Sequence, residues 1–147
     1  MEKGKKFVYL DHPADAKFQA FGRTIEEAFS HAALAVASLM WQPEKVKPCQ
    51  RRVVIVQGND REQLLFKFLS EILYLFEAKG FLLSAVKGLR IKSPEGKTDR
   101  PYFLEAVFEG DNLDKTYPIF GEVKAITYHD MFIKQNDGVC LQVVVDM

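Results

Sequence analysis

The chain has 147 residues, 48% of them hydrophobic and 27% charged, and its 20 basic and 20 acidic residues cancel to a formal net charge of zero. One domain of this length buries roughly 68–70% of its unfolded surface, so neither a disulfide nor a structural metal is needed to hold it together. The charge balance weighs against strong direct nucleic-acid binding, which calls for a basic excess. No apolar run is long enough for a signal peptide or a membrane span, so no membrane role is expected and the cytoplasm is the expected location. Cys49 and Cys140 stand far apart without a partner at metal-ligand spacing, as thiols do in a reducing compartment.

Residues 6–10 read as a first strand ending in the polar turn Asp11-His12-Pro13-Ala14-Asp15. Residues 16–21 alternate, with Ala16, Phe18 and Ala20 on one parity, and Gly22 ends the run. Thr24-Ile25-Glu26-Glu27 then opens a helix by a capping box, Thr24 accepting from the Glu27 N–H and Glu27 reaching back. Ile25, Ala28, Phe29, Ala32, Ala33, Val36, Leu39 and Met40 recur at the spacing of one buried face, so this helix is predicted to run to about Trp41. Pro43 and Pro48 make residues 42–50 a loop, and the β-branched run over 52–57 is a strand.

Asp60 and Gln63 offer a second capping box. Leu65, Phe68, Leu69, Ile72, Leu73 and Phe76 form one wide apolar stripe on a second helix, stopped by Lys79-Gly80. Beyond it the chain is nearly all β. Residues 81–92 form a strand interrupted at Gly88, 102–109 a second, and 110–121 an irregular connection. Residues 123–135 and 139–146 are two closing strands around Asn136-Asp137-Gly138, a hairpin signal. The pattern predicts a single α+β domain spanning 1–147, a mixed, mainly antiparallel sheet with two helices packed on one face.

Three constellations could carry chemistry. Asp146 and the carboxylate of Met147 end the last strand and could meet Asp15 at the sheet rim. Carboxylates gathered without a cation repel one another, and an all-oxygen site favours Mg²⁺ or Ca²⁺. The other reading leaves Asp146 a solvated terminal residue and Asp15 a turn former. In the second constellation, over residues 123–131, period-two parity puts Lys124 and His129 on opposite faces unless a bulge intervenes. The third is His12 with Asp15, either an acid/base or ligand pair or a rigid turn. The chain has no G-x-S-x-G, no phosphate-cradling glycine loop and no Cys-x-x-Cys, so it is not expected to be a self-sufficient enzyme.

Taken in order, these blocks resemble the archease family. The turn from Asp11 to Asp15 with Thr24–Phe29 and Ala32-Ala33 is similar to that family's opening block. Residues 68–77 are similar to its second, 123–129 to its third and 143–147 to its fourth. Pro13 stands where the family commonly has Thr, and Ala16-Lys17 where Val-Gly is frequent; His12 and Asp15 are retained. The resemblance implies a fold containing a strand-helix-strand-strand module. It implies a non-enzymatic protein cofactor of the GTP-dependent RNA-splicing ligase, which joins 2′,3′-cyclic-phosphate or 3′-phosphate ends to 5′-hydroxyl ends in tRNA splicing. Such a cofactor promotes ligase guanylylation and multiple turnover. The resemblance also implies a divalent-metal site (Ca²⁺ or Mg²⁺) at Asp15, Asp146 and the Met147 carboxylate, with His12, Glu71, Lys124 and His129 as further functional positions. Two readings from other classes stand beside it: a small metal-dependent phosphoester hydrolase using His12, Asp15 and Asp146, and a chaperone-like binding module.

Overall fold

The computed structural model describes residues 4–11, 15–94, 101–114 and 116–147. In chain order the elements are β1 (Phe7–Leu10), β2 (Ala16–Gly22), α1 (Ile25–Ser38), a 3-10 turn (Pro43–Lys45), β3 (Gln50–Gly58), α2 (Arg61–Lys79), β4 (Phe81–Lys92), β5 (Tyr102–Asn112), β6 (Ala125–Ile126), β7 (Phe132–Gln135) and β8 (Val139–Asp146).

Both helices begin where their caps predict. The Thr24 hydroxyl accepts from the Glu27 N–H at 3.2 Å, and Asp60 Oδ1 accepts from the Gln63 N–H at 2.7 Å. The reciprocal arms reach one residue further back than the box predicts. Glu27 accepts from the Arg23 N–H and Gln63 from the Asn59 N–H. α2 stops at Gly80, whose φ of 62° is the left-handed conformation that costs glycine little. α1 stops at Ser38, short of the predicted Trp41. The chain turns there, and Trp41, 1% exposed, donates its indole N–H to the Leu83 carbonyl at 2.9 Å. Satisfying a buried indole outweighs one more helical turn.

The protein is α+β, with its strands divided between two sheets in place of the single predicted one, and every pairing is antiparallel. One sheet runs β1-β2-β8-β6, with β7 also paired to β8; the other runs β3-β5-β4. The second sheet with α2 forms a β3-α2-β4-β5 unit, the strand-helix-strand-strand module. α1 packs on β2 and on β4, while α2 packs on β3, β4 and β5 and also touches β6 and β7. The two helices thus join both sheets through one hydrophobic cluster that includes Phe18, Phe29, Phe68, Phe108 and Val143. Phe68 is central, packed on Phe29 at 6.0 Å between ring centroids and on Phe108 at 5.6 Å.

Two strand details refine the sequence reading. The interruption at Gly88 is a register irregularity between Lys87 and Arg90, where Gly88 has φ 58°. The predicted strand over 123–135 is broken into β6 and β7. Ile126 pairs with Val145 and Phe132 with Gln142, so six positions along one chain face three along β8. The surplus forms a bulged loop over 127–131.

Candidate functional site: the carboxylate end of the last strand

β2 and β8 pair from Gly22↔Val139 to Ala16↔Val145. Asp15 immediately precedes the last pair and Asp146 immediately follows it, so the two leave the ladder side by side. Opposed residues of an antiparallel pair point to the same face. Phe18, Ala20, Val143 and Val145 occupy the helix-covered face and are fully buried. The alternate parity, which includes Lys17, Gln19, Gln142 and Val144, is the outer face, away from the helices, where Gln142 and Val144 are nonetheless buried.

The other edge of β8 is held as firmly. The Lys124 N–H donates to the Asp146 carbonyl at 2.8 Å, and Ala125 is paired with Asp146. Both the Thr127 N–H (3.1 Å) and its hydroxyl (2.7 Å) donate to the Val144 carbonyl. Met147 packs its side chain against the core. The strand end is a fixed platform before any ligand arrives.

The bulge over 127–131 decides the geometry of the third block. It suspends the period-two parity that separated Lys124 from His129, because that parity holds only for continuous strand. At Asp130 the backbone is left-handed, φ 53°. Its carboxylate lies 3.7 Å from the Lys17 ammonium and 3.5 Å from His129 Nε2. Buried Gln142 accepts from the Gln19 amide and donates to the Asp130 carbonyl, both at 2.9 Å, and so ties β2 to the loop. On the helix side, Tyr128 stacks on Phe66 with centroids 4.3 Å apart and planes 9° from parallel. The loop therefore wraps the β8 edge, from α2 on one side to Lys17 on the other.

Glu71 sits on α2, half-buried, and burial pushes its carboxyl above the usual range. Five residues beyond Phe66, it lies about 140° around the helix from the face that meets Tyr128. Lys124 and His129 are exposed beside β8, and Asp15 is half-buried. His12 lies outside the described residues. Lys17, Asp130, Gln142 and Thr127 were not singled out by sequence; the outward parity of Lys17 on β2 was the one available signal. The outer face also carries a groove of about 390 Å³, between Phe21 on β2 and Cys140 on β8, with no carboxylate in its lining.

Among the described residues, no group of three or more His, Cys, Asp and Glu side chains converges at metal-holding distance. Aspartate carboxylates such as Asp15 and Asp146 are hard oxygen donors, the type that suits Mg²⁺ or Ca²⁺.

Fold and strand-end geometry define a class: a two-sheet α+β protein that presents aspartates from two adjacent strand ends. The Archease protein family (MTH1598/TM1083) matches residues 7–147, and the chain belongs to the archease family. Protein archease of Methanosarcina barkeri is 39% identical over 147 residues, covering 99% of this chain and 98% of that protein. Protein archease of Pyrobaculum islandicum is 40% identical over 144 residues, covering 96% and 95%. The solution structure of Methanobacterium thermoautotrophicum protein 1598 superposes with a TM-score of 0.77 at 27% identity, covering 97% of this chain and 99% of that one.

Proposed function

We propose that the protein activates the GTP-dependent RNA-splicing ligase, promoting its guanylylation and repeated turnover in tRNA splicing, and that it is not itself an enzyme. The observation that supports the reading is the β2–β8 register, whose last pair is Ala16 with Val145, so that Asp15 precedes and Asp146 follows the same end of the ladder across a chain separation of 131 positions. Family membership supplies the context.

Asp15, Asp146 and the Met147 carboxylate would hold a divalent cation, Ca²⁺ or Mg²⁺. Bound at a nucleotide pocket, such an ion neutralises charge on reacting phosphates. This chain's own residues present and orient the carboxylates. Lys124 and Thr127 fix the β8 end through its carbonyls, and Lys17 offsets part of the charge through Asp130. Lys124 and His129, exposed beside the strand end, would meet the partner. Glu71 and His12 are further functional positions by family resemblance. No helix among the described residues is long and apolar enough to cross a membrane. The cytoplasm is the proposed location.

The test is single-turnover guanylylation of the ligase with Asp15→Ala and Asp146→Ala. Stably folded variants are expected to lose stimulation. Wild-type stimulation by either variant would sink the site assignment. Phosphoester hydrolysis without a partner would favour the hydrolase reading instead.

A further inference from the structure

Among the described residues, Gln142 is the one buried polar residue, 8% exposed, in a strand that is otherwise apolar from Leu141 to Val145. Burying an amide costs free energy unless its polar atoms are paired, and a β-branched residue would suit a central strand better. The amide at this position has a use beyond packing. Its neighbours in the ladder are Gln19 on β2 and Phe132 on β7. A main-chain carbonyl can only accept. The 2.9 Å bond to the Asp130 carbonyl therefore fixes the Gln142 amide, with its nitrogen towards the loop and its oxygen towards Gln19.

What that bond holds is a turn. The Met131 N–H donates to the Tyr128 carbonyl at 3.2 Å and closes four residues, with His129 and Asp130 at the two corners. The second corner takes a positive φ of 53°, a conformation for which such turns use glycine or asparagine. Asp130 keeps it under three contacts: Gln142 on its carbonyl, and Lys17 and His129 on its carboxylate at 3.7 and 3.5 Å. At the first corner, the His129 N–H donates to the Thr127 hydroxyl at 3.3 Å, and that hydroxyl is anchored on the Val144 carbonyl. The His129 side chain stays 66% exposed. A buried amide thus sets the backbone of a turn that carries an exposed imidazole beside the end of β8.

We propose that Gln142 is a positioning residue: acting through the Asp130 main chain, it holds the 128–131 turn so that His129 meets the ligase in one orientation. The proposal deepens the ligase-activator reading and rests on it. Its effect falls on the activating step, because a misplaced group costs rate even where the complex still forms.

Gln142→Met fills the same space without a donor, and Gln142→Leu is a second such variant. The Asp130 carbonyl, in an exposed turn, can then bond water, so both variants are expected to fold with a Tm within about 5 °C of wild type. Ligase guanylylation is measured over a range of activator concentrations for wild type, both Gln142 variants, His129→Ala and the Gln142→Met/His129→Ala double variant. Maximal stimulation should fall at least about tenfold in each variant, with the half-saturating concentration within about threefold of wild type. The double variant should be no worse than His129→Ala, since two changes in one chain of action do not add. By NMR, the His129 ring resonances should shift in Gln142→Met without any ligase present. Unmoved resonances, losses that multiply in the double variant, or wild-type stimulation by Gln142→Met or His129→Ala each overturn the assignment. A change confined to the half-saturating concentration overturns it by making the turn a docking contact. Loss of folding in both Gln142 variants overturns it by making Gln142 a stability residue. Failure of the wild-type protein to stimulate the ligase overturns the activator reading and this role with it.

Discussion

The backbone N–H of Lys124 donates to the carbonyl oxygen of Asp146 at 2.8 Å, joining the start of β6 to the last residue of β8 where Asp15 also leaves the sheet. Three remote stretches of sequence meet at that point. Because the carbonyl is held by the main chain, the Asp146 side chain can be changed without unpicking the edge.

Asp146→Asn should therefore fold normally. Without divalent metal its stability should be unchanged within about 0.5 kcal/mol, as for an exposed side chain whose main chain carries the pairing. Adding Ca²⁺ or Mg²⁺ should raise the Tm of the wild-type protein, because a ligand that binds only the folded state stabilises it. The variant should gain less. Equal gains in thermal melts of both proteins would place the cation elsewhere.

Tyr9 supplies a pH dependence. Its hydroxyl donates to the Ala35 carbonyl at 2.7 Å, and burial pushes its pKa from 10.0 up to about 12. Between those values the folded state keeps a proton that the unfolded state releases. The contribution is therefore complete below pH 10 and is lost as pH rises towards 12. The ring is 44% exposed, so solvent screening keeps the slope shallow. Melts of wild-type protein and Tyr9→Phe across this range should converge at the alkaline end; a constant gap contradicts the assignment.

Trp41 is the sole tryptophan and reports on the junction of α1 with β4. It packs against Phe76 with ring centroids 5.1 Å apart and donates its indole N–H to the Leu83 carbonyl. Trp41→Phe keeps an aromatic ring but removes the buried hydrogen bond to the Leu83 carbonyl. The expected cost is about 1–3 kcal/mol, read from urea unfolding followed by circular dichroism.

Gly110 is needed for space. A Cβ there would lie 1.9 Å from the Leu82 carbonyl oxygen and 2.8 Å from the Phe81 ring. Backbone blocks the first contact, so rotamer changes give no relief. Gly110→Ala should destabilise by about 1–3 kcal/mol or more, with an unchanged far-UV spectrum at low temperature. A loss below about 0.5 kcal/mol would mean that β4 and β5 shift apart easily.

Local signals in the chain located most elements because they act over a few residues. The Thr24 and Asp60 caps, the Gly80 stop and the Asp137-Gly138 turn each work through nearby backbone groups. The apolar stripe of α2 is likewise visible as a period: Leu64, Leu65, Phe68, Leu69 and Ile72 are all buried. The errors lie where distant chain competes for the same residues. Trp41 leaves the helix for the Leu83 carbonyl, 42 positions away. The strand expected over 123–135 breaks because β8 has room for only part of it, and the surplus is taken up between Phe66 and Lys17.

The candidate site divides in the same way. Sequence by itself determined the residue types: aspartates at a turn and at a strand end, without an enzyme's nucleophile, in blocks resembling the archease family. It determined the α+β class too, since helical and strand periods are written into neighbouring residues. Which strands pair, that they form two sheets, and that the chain positions of Asp15 and Asp146 come to the same end of the β2–β8 ladder were decided only by the tertiary structure. Register arises from burying Phe18, Ala20, Val143 and Val145 together, and a slip of one residue would turn those side chains outward. The pairing energy is non-local, so no window of the chain contains it.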